Sequence, residues 1–303
     1  KIPRLVAITE FGARIIKTAL NKTVPVIGHA YQTTLQMRQD NIAKNLLNIP
    51  DNVVVYGSIA RNFWRKNLHA LLNAFAHAHT FFTDEVYHAR LLIHTDNANP
   101  SIEGCNIPEM VKNLGLSGKV LLSTNNLNTE DMTTVIDAMD YHVLTSYGEG
   151  FGVPVIETMS RGVPNIVPMH TTMPELVYNG GFIVPLELSG NVHPATGREY
   201  FGPDCLQLAQ CMVQAYHLKK QQTVEYQNLQ YNALNQAGKY SQKNKKNAWN
   251  DYVANFKQEP MTIQTSNNIP THLFKKNKKK ILLCSMFYVP NLIGGGEYTA
   301  HEL

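Results

Sequence analysis

Six short apolar runs punctuate the middle of the chain: NVVVYGS at 52–58, ARLLIHT at 89–95, KVLLST at 119–124, YHVLTS at 141–146, NIVP at 165–168 and GFIVPL at 181–186. Their apolar residues sit at consecutive positions rather than alternate ones, as in strands buried on both faces. Between the runs the apolar residues fall at helical spacing. Leu68, Leu71, Leu72 and Phe75 recur at i, i+3, i+4 and i+7, and so do Met132, Val135, Ile136 and Met139. Covered strands alternating with amphipathic helices predict an α/β fold, a Rossmann-like doubly wound parallel sheet.

The flanks read differently. Residues 1–30 suggest strand, helix, strand (RLVAITEF, GARIIKTALN, VPVIGHA), followed by a polar helical connector to Pro50. A long helical region covers 206–257. EPMTIQTSNNIPTHLFKKNKKK, at 259–280, is a polar, proline-bearing, basic linker, and 281–303 reads as a new strand, glycine loop and helix start. The expected divisions are therefore 1–50, 51–258, 259–280 and 281–303. The first residue is not Met and the last ones stop within a helical turn, so the expectation is a fragment cut through structure at both ends.

Composition narrows the function classes. The chain has 303 residues, 44% hydrophobic and 17% charged, with a formal net charge of +4, too mild to argue for nucleic acid. The lysines of KKNKKK lack interleaved aromatics, so no nucleic-acid partner is expected. That run reads first as a solvated linker and second as a contact with an anionic membrane surface. No apolar run approaches the ~18 residues of a membrane span, and there is no signal-peptide pattern. The four cysteines form no CxxC pair, which points to reduced thiols in the cytoplasm. No D-x-D occurs, and His77 and His79 face different sides of a predicted helix, so neither a metal nor a cofactor is expected.

The chemistry concentrates in SYGEGFGVPVIETMSRGVPNIV, Ser146 to Val167. A strand ends at Ser146, and open α/β sheets place ligands at the carboxyl ends of their strands. Pro154 suits a first helical turn, so a helix is expected from near Val153 to Arg161. The backbone N–H groups of Gly150, Phe151 and Gly152 then lie at the positive end of a helix and can receive a diphosphate or polar hydroxyls. Glu157, one turn in, can accept from a vicinal diol such as ribose. Glu149 sits in the turn, closer to whatever lies beyond the phosphates. A structural alternative stands beside this: a glutamate in a first helical turn complements the helix dipole with no ligand at all.

With its full spacing, S-x-x-E-G-F-G-x-P-x-x-E, the segment resembles the E-x7-E signature of the retaining glycosyltransferases of family four, whose GT-B fold has two facing Rossmann-like domains. VVVYGSIARNFWRKNLHALLNAF is similar to the same family's strand, glycine turn and R-x4-K pair, with Arg61 and Lys66 at the matching positions and Arg65 in reserve. Ala60 stands where the family often has glycine. MHTTMPELVYNGG resembles its loop and Pro-Glu helix, although Thr172 and Glu175 also fit a plain capping box.

The resemblance covers about 51–258 and implies the donor-binding domain of such an enzyme. It implies catalytic roles for Glu149, Arg61 and Lys66, and donor binding by Gly57, Arg61, Lys66, Gly150, Phe151, Gly152, Val153 and Glu157. The partners implied are a nucleotide-sugar donor and a glycan or lipid-linked acceptor. Residues 1–30 and 281–303 resemble the end and the beginning of acceptor-side domains, which suggests a tandem enzyme. Two other readings remain open: a nucleotide-binding or assembly module without catalysis, and a glycoside hydrolase using Glu149 and Glu157.

Overall fold

The computed structural model describes residues 5–31, 34–82, 89–99, 104–192 and 199–255. The expected linker at 259–280 and the expected second domain at 281–303 lie outside the described residues. Among the described residues two compact units emerge: one contains residues 5–30 and 243–255, and the other runs from Tyr31 to Gln242. The sheet unit thus takes in the connector that the sequence pattern set apart at residue 50.

In the first unit, helix α1 (Glu10–Leu20) is capped by Thr9, whose hydroxyl accepts from the Gly12 N–H at 3.0 Å. Its apolar side, with Ile16, packs with Leu5 and Ala7. The two expected strands reduce to one parallel bridge, Ala7 to Val26. Pro25, which accepts from Ala7, has no N–H to extend the ladder.

The second unit opens with α2 (Asp40–Leu46) and β1 (Val54–Ile59). A 3₁₀ turn (Trp64–Lys66), α3 (Leu68–His79), β2 (Ala89–His94), α4 (Ile107–Asn113), β3 (Val120–Ser123), α5 (Thr129–Asp137) and β4 (Tyr141–Val143) follow. Next come α6 (Val153–Met159), β5 (Asn165–Pro168), α7 (Met173–Val177) and β6 (Gly181–Val184). A hairpin of β7 (Leu186–Val192) and β8 (Glu199–Pro203) leads to α8 (Cys205–Lys220) and α9 (Val224–Gly238). The long helical region ends with α10 (Gln242–Ala254), which, after its first residue, belongs to the first unit.

All six expected strands form one parallel sheet in the order β3-β2-β1-β4-β5-β6. Alternate residues of β1 enter different cores. Val54 and Tyr56 join Leu71, Leu72 and Phe75 of α3 and Met212 of α8, while Val53, Val55 and Ile59 join Val135, Ile136 and Met139 on the other face. Each fully buried side chain of this kind contributes roughly 1.5–3 kcal/mol relative to exposure. That two-sided burial explains why the strands read as continuous apolar runs.

A buried ionic network fastens the connector to the sheet. Asp140 is fully buried just before β4; it accepts from Arg38 at 2.8 Å, Lys44 at 2.8 Å and the Val55 N–H at 2.9 Å. Arg38 also donates to the Tyr226 hydroxyl at 2.6 Å, which brings α9 into the same knot. Burial alone would raise the pKa of Asp140, but Arg38, Lys44 and Lys219 hold it well below the usual carboxylate range.

Candidate functional site

The carboxyl ends of β1 and β4 lie side by side, because these two strands are neighbours in the sheet. After β1 the chain reaches the 3₁₀ turn, where Asn67 adopts φ 52°, a left-handed conformation that asparagine tolerates better than most residues, and caps α3. That turn aims Lys66 at the loop following β4. Cross-links hold the two loops together: the Thr145 hydroxyl lies 3.0 Å from the Lys66 carbonyl and 2.9 Å from that of Asn67, and the Tyr147 N–H donates to the Arg65 carbonyl at 2.9 Å.

At this junction Lys66 Nζ donates to Glu149 Oε1 at 2.6 Å, and Arg65 Nη1 lies 3.2 Å from Oε2. The Ser146 hydroxyl donates to the same Oε1 at 2.6 Å, and Arg65 also donates to the Gly148 carbonyl. The carboxylate is 9% exposed. Burial pushes its pKa up, but Lys66 and then Arg65 outweigh that and leave it lowered. Glu149 is therefore a fixed anion between two cations. The Thr171 hydroxyl accepts from its N–H at 3.3 Å, and the His170 ring, whose pKa burial lowers, adjoins Thr171 at 3.2 Å.

Arg61 lies elsewhere. Its side chain is 71% exposed and pairs with Asp96, at the end of β2, at 2.8 Å. The structure therefore brings Lys66 and the reserve candidate Arg65 to Glu149, and leaves Arg61 outside that cluster. Gly57 lies within β1, and a Cβ there would meet Met139 Sδ, just past the end of α5, at 2.0 Å, so packing requires glycine at this position.

The loop from Gly150 to Val153 enters α6 as expected, with Pro154 in its first turn. Gly152, the N-cap, has φ 103°, and a Cβ there would come within 2.6 Å of Met173. The Val153 N–H, at the first position of α6, has no partner inside the helix. Phe151 is buried, its ring edge-on to Tyr240, and its carbonyl accepts from Thr172 at 2.8 Å. That bond displaces the expected capping box, since Thr172 is helical and its hydroxyl serves Phe151 instead of α7. Arg161, just past α6, clamps Asp137 through two bonds of 2.7 and 2.6 Å and has a structural role.

Glu157 accepts a hydrogen bond from the Tyr31 hydroxyl. Burial raises the pKa of Glu157, and the bond from Tyr31 opposes that rise. Tyr31 is itself pushed upward by burial and then by the Glu157 charge, so it stays a donor. The two residues are 126 positions apart, and no local pattern signals the contact.

The family description Glycosyl transferases group 1 matches residues 50–192. Among curated proteins, the serotype-specific mannosyltransferase WbdA of Escherichia coli is 27% identical over 135 residues, 44% of this chain and 16% of that protein. The mannosylfructose-phosphate synthase of Agrobacterium fabrum is 41% identical over 64 residues, 21% of this chain and 14% of that protein. The chain thus spans about one-sixth or less of the length of these relatives. Among solved structures, Anabaena HepE in complex with UDP-glucose superposes with a TM-score of 0.64 at 17% identity, covering 84% of this chain and 64% of HepE. Sucrose-phosphate synthase from Thermosynechococcus elongatus gives 0.64 at 17% identity, covering 82% and 57%. These neighbours, at 17% identity, show that the chain shares the GT-B glycosyltransferase fold, and residues 50–192 are similar to the glycosyl transferases group 1 family.

Proposed function

We propose that the sheet unit binds a nucleotide sugar and serves as the donor side of a retaining, metal-independent glycosyltransferase. The observation that carries this reading is the convergence of Lys66 and Arg65 on the half-buried Glu149 where β1 and β4 end, beside the glycine loop that opens α6. In the proposed complex the diphosphate lies against Lys66, Arg65 and the N–H groups of Gly150, Phe151, Gly152 and Val153. The exposed Arg61 has an outer role at the rim, Glu157 accepts from the ribose diol, and Glu149 faces the sugar.

The chemistry follows from the charges. As the bond from the sugar C1 to the phosphate oxygen breaks, negative charge grows on the leaving diphosphate, and fixed cations stabilise it there. The acceptor hydroxyl attacks C1 on the face the diphosphate leaves, and its proton passes to the departing phosphate oxygen. The relatives named for mannosyl transfer and the neighbour bound to UDP-glucose support a hexose as the transferred group. The acceptor is proposed to be a glycan or lipid-linked sugar, and this chain alone is proposed to bind donor yet transfer little.

A melting-temperature panel of UDP- and GDP-linked hexoses tests the reading, because a ligand selective for the native state raises the midpoint. The expected result is a rise with at least one nucleotide sugar, abolished in Lys66→Ala and in Glu157→Ala. No rise with any of them would contradict it.

A further inference from the structure

The β7–β8 hairpin has no counterpart in the sequence pattern and is not accounted for by the donor chemistry above. β6 is the edge strand, three strands from β1 in the order β1-β4-β5-β6, a separation of about 14 Å at the usual inter-strand spacing. The hairpin leaves at Pro185, which cannot continue the ladder, and its base is closed by the Asp204 N–H donating to the Pro185 carbonyl at 2.9 Å. It nevertheless reaches the loop after β1. Tyr200 of β8 packs between Trp64, with ring centroids 5.0 Å apart, and Tyr147, at 5.2 Å and nearly parallel.

Three further contacts close on Tyr147. Asn191 of β7 donates to its hydroxyl at 2.7 Å, its own N–H is held by Arg65, and Gly202 lies so close that a Cβ there would meet the Tyr147 ring at 3.0 Å. Strand alternation puts Tyr200 and Gly202 on this inner side, while Leu188 and Phe201, a cross-strand pair, are exposed on the other. The hairpin therefore crosses the carboxyl edge of the sheet and grips the residue two positions before Glu149.

We propose that Tyr200 is a positioning residue for the transferred sugar: the hairpin straps Tyr147 against the turn of Trp64 and Arg65, and so fixes Glu149 relative to its cations. This rests on the donor-site reading for its effect on ligands, but the strap itself is a property of the free protein. Tyr200 stacks on Tyr147, and its influence on Glu149 passes through that ring. A loosened strap should harm recognition of the sugar, which Glu149 faces, more than that of the diphosphate, which also has the glycine loop.

Two measurements on the same variants separate the claims. In the free protein, Tyr200→Ala is expected to speed amide exchange at 145–150 at least tenfold relative to the rest of the sheet unit, with Tyr200→Phe close to wild type. The exposed Asn191→Ala, which leaves the aromatic packing intact, should give a smaller rise at the same amides. In binding, the ratio of UDP-glucose to UDP affinity should fall at least fivefold in Tyr200→Ala and recover in Tyr200→Phe. Unchanged exchange at 145–150 in both alanine variants, or an unchanged affinity ratio in Tyr200→Ala, would overturn the proposal. If the wild type bound neither UDP-glucose nor UDP, the donor reading and the ligand effect would fall together, while the exchange data would still decide the strap.

Discussion

At the scale of single residues, the site turns on how two half-buried glutamates are satisfied. Glu149 has two cations and a serine hydroxyl, whereas Glu157 has a tyrosine hydroxyl and a raised pKa. Removing Lys66 should therefore weaken donor binding by about 10- to 100-fold, the range for a lost charge-assisted hydrogen bond of about 1.5–3 kcal/mol. Titration calorimetry of Lys66→Ala against the wild type checks this. Ionised Glu157 accepts from a diol more strongly than the protonated acid, so donor binding should decline as pH falls through its raised pKa. Tyr31→Phe removes the bond that opposes the rise, so that acid limb should move to higher pH; UDP-glucose affinity measured across mildly acidic pH in both proteins is the check. Lys66 and Glu149 were legible because each belongs to a local motif beside a strand end. The Tyr31 contact and the pairing of Arg61 with Asp96 were not, since each joins residues far apart in sequence.

At the scale of elements, continuous apolar runs and helical spacing located every strand of the sheet and its major helices, most directly for the inner strands such as β1 and β5, whose residues are buried on both faces. The hairpin escaped notice for the opposite reason. LELSGNV and EYFGP have one face on the site loops and the other toward solvent, with an irregular register between Leu188 and Val192, so no period stands out. Gly57 reads as part of the β1 run, and the packing of Met139 shows why that strand needs glycine there. Gly152 carries a sharper demand, a left-handed φ together with Met173 in the space a side chain would take. Gly152→Ala should destabilise the sheet unit by about 1–3 kcal/mol through strain and overpacking. Denaturant unfolding should show that loss, with the midpoint lowered and the slope unchanged.

At the scale of the molecule, the sheet unit is closed by the knot of Arg38, Lys44, Lys219 and Tyr226 around Asp140, which ties connector, sheet and carboxyl-terminal helices together. The folded pKa of Asp140 is depressed below the unfolded value of about 3.9, so the stability it contributes is present above that pH and is lost as pH falls toward the folded value. Asp140→Ala should cost about 3–5 kcal/mol at neutral pH, the range for breaking a buried pair. The Asp140 contribution to wild-type stability should accordingly hold from neutral pH down to about pH 4 and fall only below it, a fall the variant lacks. The central claim is that the cluster of Lys66, Arg65, Glu149 and the glycine loop cradles an activated sugar. Its most direct test is calorimetric titration of UDP- and GDP-linked hexoses into the wild type, Lys66→Ala and, as a control, Lys112→Ala on the exposed side of α4. The account predicts saturable binding in the wild type and control and a loss of at least tenfold in Lys66→Ala; equal affinities in all three would contradict it.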